Sequence, residues 1–114
     1  MIGYAKDREW VRGPGPKGGQ GEVEKWTLLT PEDTGGKIGL CNYVNMLPGS
    51  SIGGHPHTED GEMYLVVEGE LVFIENGVEH VLHPGDVTYT WNGDSHAMVN
   101  RSGKNAKMLA IIVK

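Results

Sequence analysis

Three histidines and a glutamate carry most of the chemistry this chain offers. His55 and His57 are separated by one proline, and on an extended segment side chains two residues apart leave from the same face, so both imidazoles can converge on one ion. Glu62 opens the apolar run Met63-Tyr64-Leu65-Val66-Val67 after Thr58-Glu59-Asp60-Gly61, a stretch rich in turn formers that can swing the chain back. His96 follows Asn92-Gly93 at the start of another apolar segment. Three imidazoles and one carboxylate form a borderline-to-hard donor set suited to a divalent transition metal, with positions left for water or substrate. Mn, Fe, Co, Ni and Zn all accept such a set, so the donors do not name the ion.

The elements that position these residues must be short. The sequence holds 18 glycines and 6 prolines in 114 residues, and the longest stretch free of both is the tail from Lys104 to Lys114, whose Ile111-Ile112-Val113 favours strand over helix. Long helices are excluded. Segments of strand chemistry recur between turn residues near 22–29, 37–47, 51–57, 62–68, 70–76, 78–83, 86–90, 95–101 and 107–113, the spacing expected of a sandwich or barrel. Asn76-Gly77, between Leu71-Val72-Phe73-Ile74 and Val78-Glu79-His80-Val81, signals a two-residue hairpin, because both turn positions need positive φ. The segment 13–21, Gly-Pro-Gly-Pro-Lys-Gly-Gly-Gln-Gly, reads as a mobile loop or linker, with a lid over a binding site as the alternative. No phosphate loop follows it.

On these residues the chain resembles the cupins, specifically small single-domain proteins with one conserved barrel. Gly49, five residues, His55-x-His57, four residues, Glu62, six residues and Gly69 match the first cupin motif throughout. Gly85, five residues, Trp91 where the family usually has proline, one residue, Gly93, two residues, His96, three residues and Asn100 match most of the second. The motifs span 49–69 and 85–100, about half the chain. The resemblance implies an all-β fold over residues 1–114, a double-stranded β-helix or jelly-roll barrel with one divalent metal ion inside. It also implies His55, His57, Glu62 and His96 as the ligands, Gly49, Gly69, Gly85 and Gly93 as turn or close-packing positions, and a structural role for Asn100.

Strand alternation extends the reading past the ligands. With Glu62 inward, Tyr64 and Val66 follow it; with His96 inward, so do Met98 and Asn100. Tyr64 is the one candidate for proton transfer, as a general acid/base or a hydrogen-bonding partner of a metal-bound ligand, against the simpler reading of a core tyrosine. Met63, Leu65 and Val67 would face away from the metal, and an apolar sheet face in water marks an association surface. A homodimer is the expected cover, with the chain's own first forty residues as the alternative. His80 and His83 have opposite parity and read as surface residues, Cys41 as a buried inert thiol, and Trp10, Trp26 and Trp91 as too dispersed for a stacking platform.

Composition narrows the functional classes. About half the residues are apolar when glycine is counted, as in ordinary globular domains. Ten basic against fifteen acidic residues leave a net charge of -5, and no basic run could neutralise phosphates, so nucleic acid is excluded as a partner. No run of 18 apolar residues could cross a bilayer, and the opening MIGYAKDREW lacks the apolar core of a signal peptide. With Cys41 as the single cysteine, a cytoplasmic setting is expected. The reading is a metal-dependent isomerase, lyase or dioxygenase acting on a small sugar-like or carboxylic acid substrate, with a module that binds metal and small ligand without turnover as the alternative.

Overall fold

In a computed structural model describing residues 1–114, the chain forms ten β-strands and no α-helix. They are β1 (Val11–Pro14), β2 (Glu22–Leu29), β3 (Ile38–Met46), β4 (Ser51–Pro56), β5 (Gly61–Glu68), β6 (Leu71–Glu75), β7 (Val78–Leu82), β8 (Val87–Thr90), β9 (Ser95–Val99) and β10 (Ala106–Val113). Nine fall where strand chemistry places them in the sequence; β1, whose Val-Arg-Gly-Pro has no apolar alternation, is the addition. The Asn76-Gly77 hairpin forms as expected, with φ of 48° and 82° at its two residues and Glu75 opposite Val78.

The strands build two antiparallel sheets, one ordered β1-β2-β3-β10-β5-β8 and one ordered β4-β9-β6-β7. β10 inserts between β3 and β5, far from both in sequence, which closes the jelly roll. Both sheets turn one face inward. From the larger come Val23, Val44, Met46, Val66, Ala106 and Met108; from the smaller, Ile52, Leu71, Phe73 and Met98. Full burial of each large apolar side chain stabilises by about 1.5–3 kcal/mol.

Asn100 seals the apolar end. Its buried side-chain amide donates to the carbonyls of Met46 at 2.8 Å and Lys104 at 2.7 Å, while its Oδ1 accepts from the Ser102 backbone at 3.0 Å. Thus β3, β9 and the turn into β10 are tied together, the structural role expected of that residue. Gly49, Gly69, Gly85 and Gly93 all have positive φ. Only Gly69 also needs its missing Cβ for packing, since one there would lie 2.8 Å from the Asn105 carbonyl.

One expectation is corrected. The 13–21 segment is no loose linker: it continues β1, makes a 3-10 turn at Pro16–Gly18 and packs against β4. The Ser51 backbone N–H donates to the Gln20 carbonyl at 2.9 Å, and the Gln20 N–H donates to Ser51 Oγ at 2.8 Å. A Cβ on Gly15 or Gly19 would collide with the Ser51 carbonyl, and one on Gly53 with the Lys17 carbonyl. Glycine here permits backbone contact rather than motion. Two of the three tryptophans, dispersed in sequence, pack on each other: Trp10 stacks on Trp26 with ring centroids 4.4 Å apart, and Tyr43 tilts against both, while Trp91 stands apart and exposed.

Candidate metal centre

The site lies beyond the apolar layer formed by Met98, Phe73 and Ile52. On β4 the backbone must turn both Ile52 and His55 inward although they are an odd number of residues apart. A register shift resolves this: Ile52 pairs with Met98 and His55 with His96, so β4 spends one residue more than β9 between the two pairs. Gly53-Gly54 supplies the irregularity, and normal alternation then carries His57 inward as well. Backbone bonds pin the strand end, with His57 N–H donating to the Asp94 carbonyl at 3.1 Å and Gly93 N–H to the His57 carbonyl at 2.8 Å. Trp91, standing where proline is usual, is 58% exposed, and its carbonyl closes the turn by accepting from Asp94 N–H at 3.1 Å. The substitution leaves the turn and the adjoining histidines in place.

Glu62 arrives from the opposite sheet, on β5 between Ile112 of β10 and Thr90 of β8. His55, His57, Glu62 and His96 thereby meet, with one donor atom from each lying within 4.8 Å of all the others. His96 Nε2 is 3.1 Å from His57 Nε2, 3.2 Å from His55 Nε2 and 3.1 Å from Glu62 Oε1. His57 Nε2 lies 3.1 Å from Glu62 Oε1, and His55 Nε2 lies 3.9 Å from it. Donors bound at about 2.1 Å and at right angles to one another stand about 3 Å apart, so the spacing around His96 suits a shared ion with two further positions for ligands.

The outer nitrogens explain the convergence. His55 Nδ1–H donates to the Gly53 carbonyl at 2.8 Å, and His57 Nδ1–H to Asp60 Oδ1 at 2.6 Å. A carbonyl and a carboxylate only accept, so both neutral rings carry their lone pair on Nε2, facing the centre. His96 Nδ1 is hydrogen-bonded with Thr90 Oγ1 at 2.9 Å, which orients the third ring and leaves Nε2 facing the centre. Burial holds His55 below its ordinary pKa, outweighing the bond from Gly53; the neighbouring His96 and His57 push in the same direction as burial. Inward lone pairs beside a carboxylate repel one another unless a cation lies between them, and the donor set therefore fits a divalent metal ion.

Tyr64 adjoins this group on the inner face of β5, as its parity with Glu62 requires. Its ring stacks on His96 at 4.9 Å and 15°, and its hydroxyl lies 3.4 Å from His96 Nε2. Burial, followed by the charge of Glu62, raises the phenol well above its ordinary value. At neutral pH it is a proton donor, not a base. Val66, Met98 and Asn100 are buried as alternation predicts, and His80 and His83 are exposed. Asp60 and Thr90, which orient two of the rings, were not singled out in the sequence; an acid three residues after a histidine was the only local sign. Cys41 is buried and unpaired, and burial raises its thiol pKa.

Three of the four donor residues, His55, His57 and Glu62, line a cavity of about 370 Å³, within the range of small-molecule sites. It reaches from His55, His57 and Glu62 across Tyr64 and Ala110 to Asn42 and Lys25.

Residues 42–112 match the family model described as a cupin domain. The chain belongs to the cupins. An oxalate-binding protein of Thermotoga maritima is 38% identical over 97 residues, covering 85% of this chain and 80% of that protein. A crystal structure described as a predicted oxalate decarboxylase, also from Thermotoga maritima, superposes with a TM-score of 0.93 at 34% identity, over 99% of this chain and 98% of that one. A sugar phosphate isomerase of the cupin superfamily from Silicibacter pomeroyi gives 0.69 at 27% identity, over 81% of this cupin and 59% of that chain.

Proposed function

We propose that this cupin binds one divalent transition metal ion through His55, His57, Glu62 and His96, and on it a small carboxylic acid. The observation that carries this is the meeting of three Nε2 atoms and one carboxylate oxygen, with every outer imidazole nitrogen already committed. A metal held there supplies Lewis acidity toward an oxygen ligand. The chain's residues orient the donors and keep the inner wall apolar, while Tyr64 holds a proton 3.4 Å from His96 Nε2. The oxalate-binding relative supports an acid over a sugar. Binding is put before turnover because Asp60 is engaged by His57 and is not a free base.

The test is elemental analysis of protein purified without a nickel column, followed by calorimetry with oxalate before and after metal removal. One metal per chain and metal-dependent oxalate binding are expected; binding that survives metal removal contradicts the reading. Catalysis is the second reading, favoured by the closeness of the Tyr64 proton to the donors. Consumption of oxalate or a related acid by the metal-loaded protein would establish it.

We infer further that two copies pair through the outer face of β5 and β8. Val67, Val87 and Tyr89 are 46%, 60% and 49% exposed there, beside half-buried Met63 and Leu65. The aromatic stack of Trp10 covers only the β2–β3 part of this sheet. Light scattering at micromolar concentration should give the mass of two chains, and the mass of one would remove the dimer. A cytoplasmic location agrees with an unpaired Cys41. None of the helices is long and apolar enough to cross a membrane.

A further inference from the structure

One inward position of the barrel breaks the pattern of its neighbours. On β2, Val23 is fully buried in the core, and the next residue on the same face is Lys25. Lysine is uncommon on an inward face, where its apolar stem packs and its ammonium reaches toward open space. Lys25 is half-buried and makes no ion pair. It lines the cavity that holds the metal donors.

The strand register shows what lies between. Tyr64 of β5 pairs with Ala110 of β10, and Ala110 pairs with Asn42 of β3, beside which Lys25 stands opposite Val44. β2 is thus three strand spacings from β5, about 4.8 Å each. Ala110 contributes only a methyl group in the middle of this row, so the floor stays open from Tyr64 to Asn42. A second lysine reaches the same cavity from the latched 15–21 segment. Lys17 holds a left-handed backbone, φ 57° and ψ 39°, with its carbonyl against Gly53. A non-glycine residue in that region is uncommon and persists only where its surroundings fix it. Glu59 and Asp60 line the cavity too, but Asp60 is taken by His57.

We propose that Lys25, assisted by Lys17 and Asn42, binds a second carboxylate on the ligand, remote from the end held at the metal. The ligand class is therefore a dicarboxylic acid longer than oxalate, whose two carboxylates would both be spent at the metal. This rests on the metal-and-acid reading above and narrows it.

Malate and 2-hydroxybutanoate separate the two ideas, because they share a chelating hydroxy acid end and differ in a distal carboxylate or methyl. Calorimetry on manganese-loaded protein should show malate binding at least about tenfold tighter, the scale of a hydrogen bond to a charged group. Lys25→Met should bring the ratio to near one while metal content and 2-hydroxybutanoate affinity stay unchanged. Lys25→Gln serves as a second variant, with thermal melting to verify folding. Equal affinities in the unaltered protein, or a ratio that survives both variants, overturn the lysine proposal alone. If neither acid nor oxalate binds, the metal-and-acid reading falls with it.

Discussion

The Asp60 carboxylate accepts a 2.6 Å hydrogen bond from Nδ1–H of His57, three residues earlier on the turn joining β4 to β5. This contact fixes the ring orientation and the tautomer that faces the donor group. Asp60→Ala should therefore weaken metal binding by about 10–100-fold with little change in the melting temperature of the metal-free protein. Competition against a chromophoric chelator measures it. Unchanged metal affinity would reduce Asp60 to a turn residue.

Tyr64→Phe keeps the ring that stacks on His96 and removes only the hydroxyl. Metal content should be unchanged, while affinity for oxalate falls about tenfold or more, the cost of losing a hydrogen bond to a charged acceptor. Calorimetry on the metal-loaded variant decides this, and equal affinity would take the hydroxyl out of the site.

Burial keeps His55 below its ordinary value of 6.5, so the folded, metal-free chain resists a proton that the unfolded chain accepts. Below pH 6.5 the unfolded state binds more protons, and stability falls with falling pH until the folded value is passed. Urea midpoints of metal-free protein between about pH 7.5 and 5 should decline, and His55→Gln should flatten the curve. A variant with the same slope as the parent would show that other groups are responsible.

Gly53 lies under the Lys17 carbonyl, where a Cβ has no space. Gly53→Ala should destabilise by about 1–3 kcal/mol, the cost of overpacking a close contact. It should also lift the 15–21 segment, so that trypsin cuts after Lys17 in the variant well before it cuts the parent. Resistance equal to the parent would mean that the segment is held by other contacts.

The site was legible where its logic is local. The parity of His55 and His57, of Glu62 and Tyr64, and of His96 and Met98 follows from strand geometry and survives folding unchanged. What was hidden depends on register between strands distant in sequence. Thr90 reaches His96 because β8 lies beside Glu62, and Lys25 reaches the cavity because β10 inserts between β3 and β5. The glycines of 13–21 misled for another reason: composition does not distinguish a glycine that moves from one that lets two backbones touch. β1 escaped because its four residues pair at an edge and bury almost nothing.

The near-parallel indoles of Trp10 and Trp26 couple two strong electronic transitions at a centroid distance of 4.4 Å. One partner precedes β1 and the other belongs to β2, so their exciton signal in circular dichroism disappears whenever the amino-terminal arm lifts away. The protein thus carries an intrinsic optical gauge of that arm, read without any label.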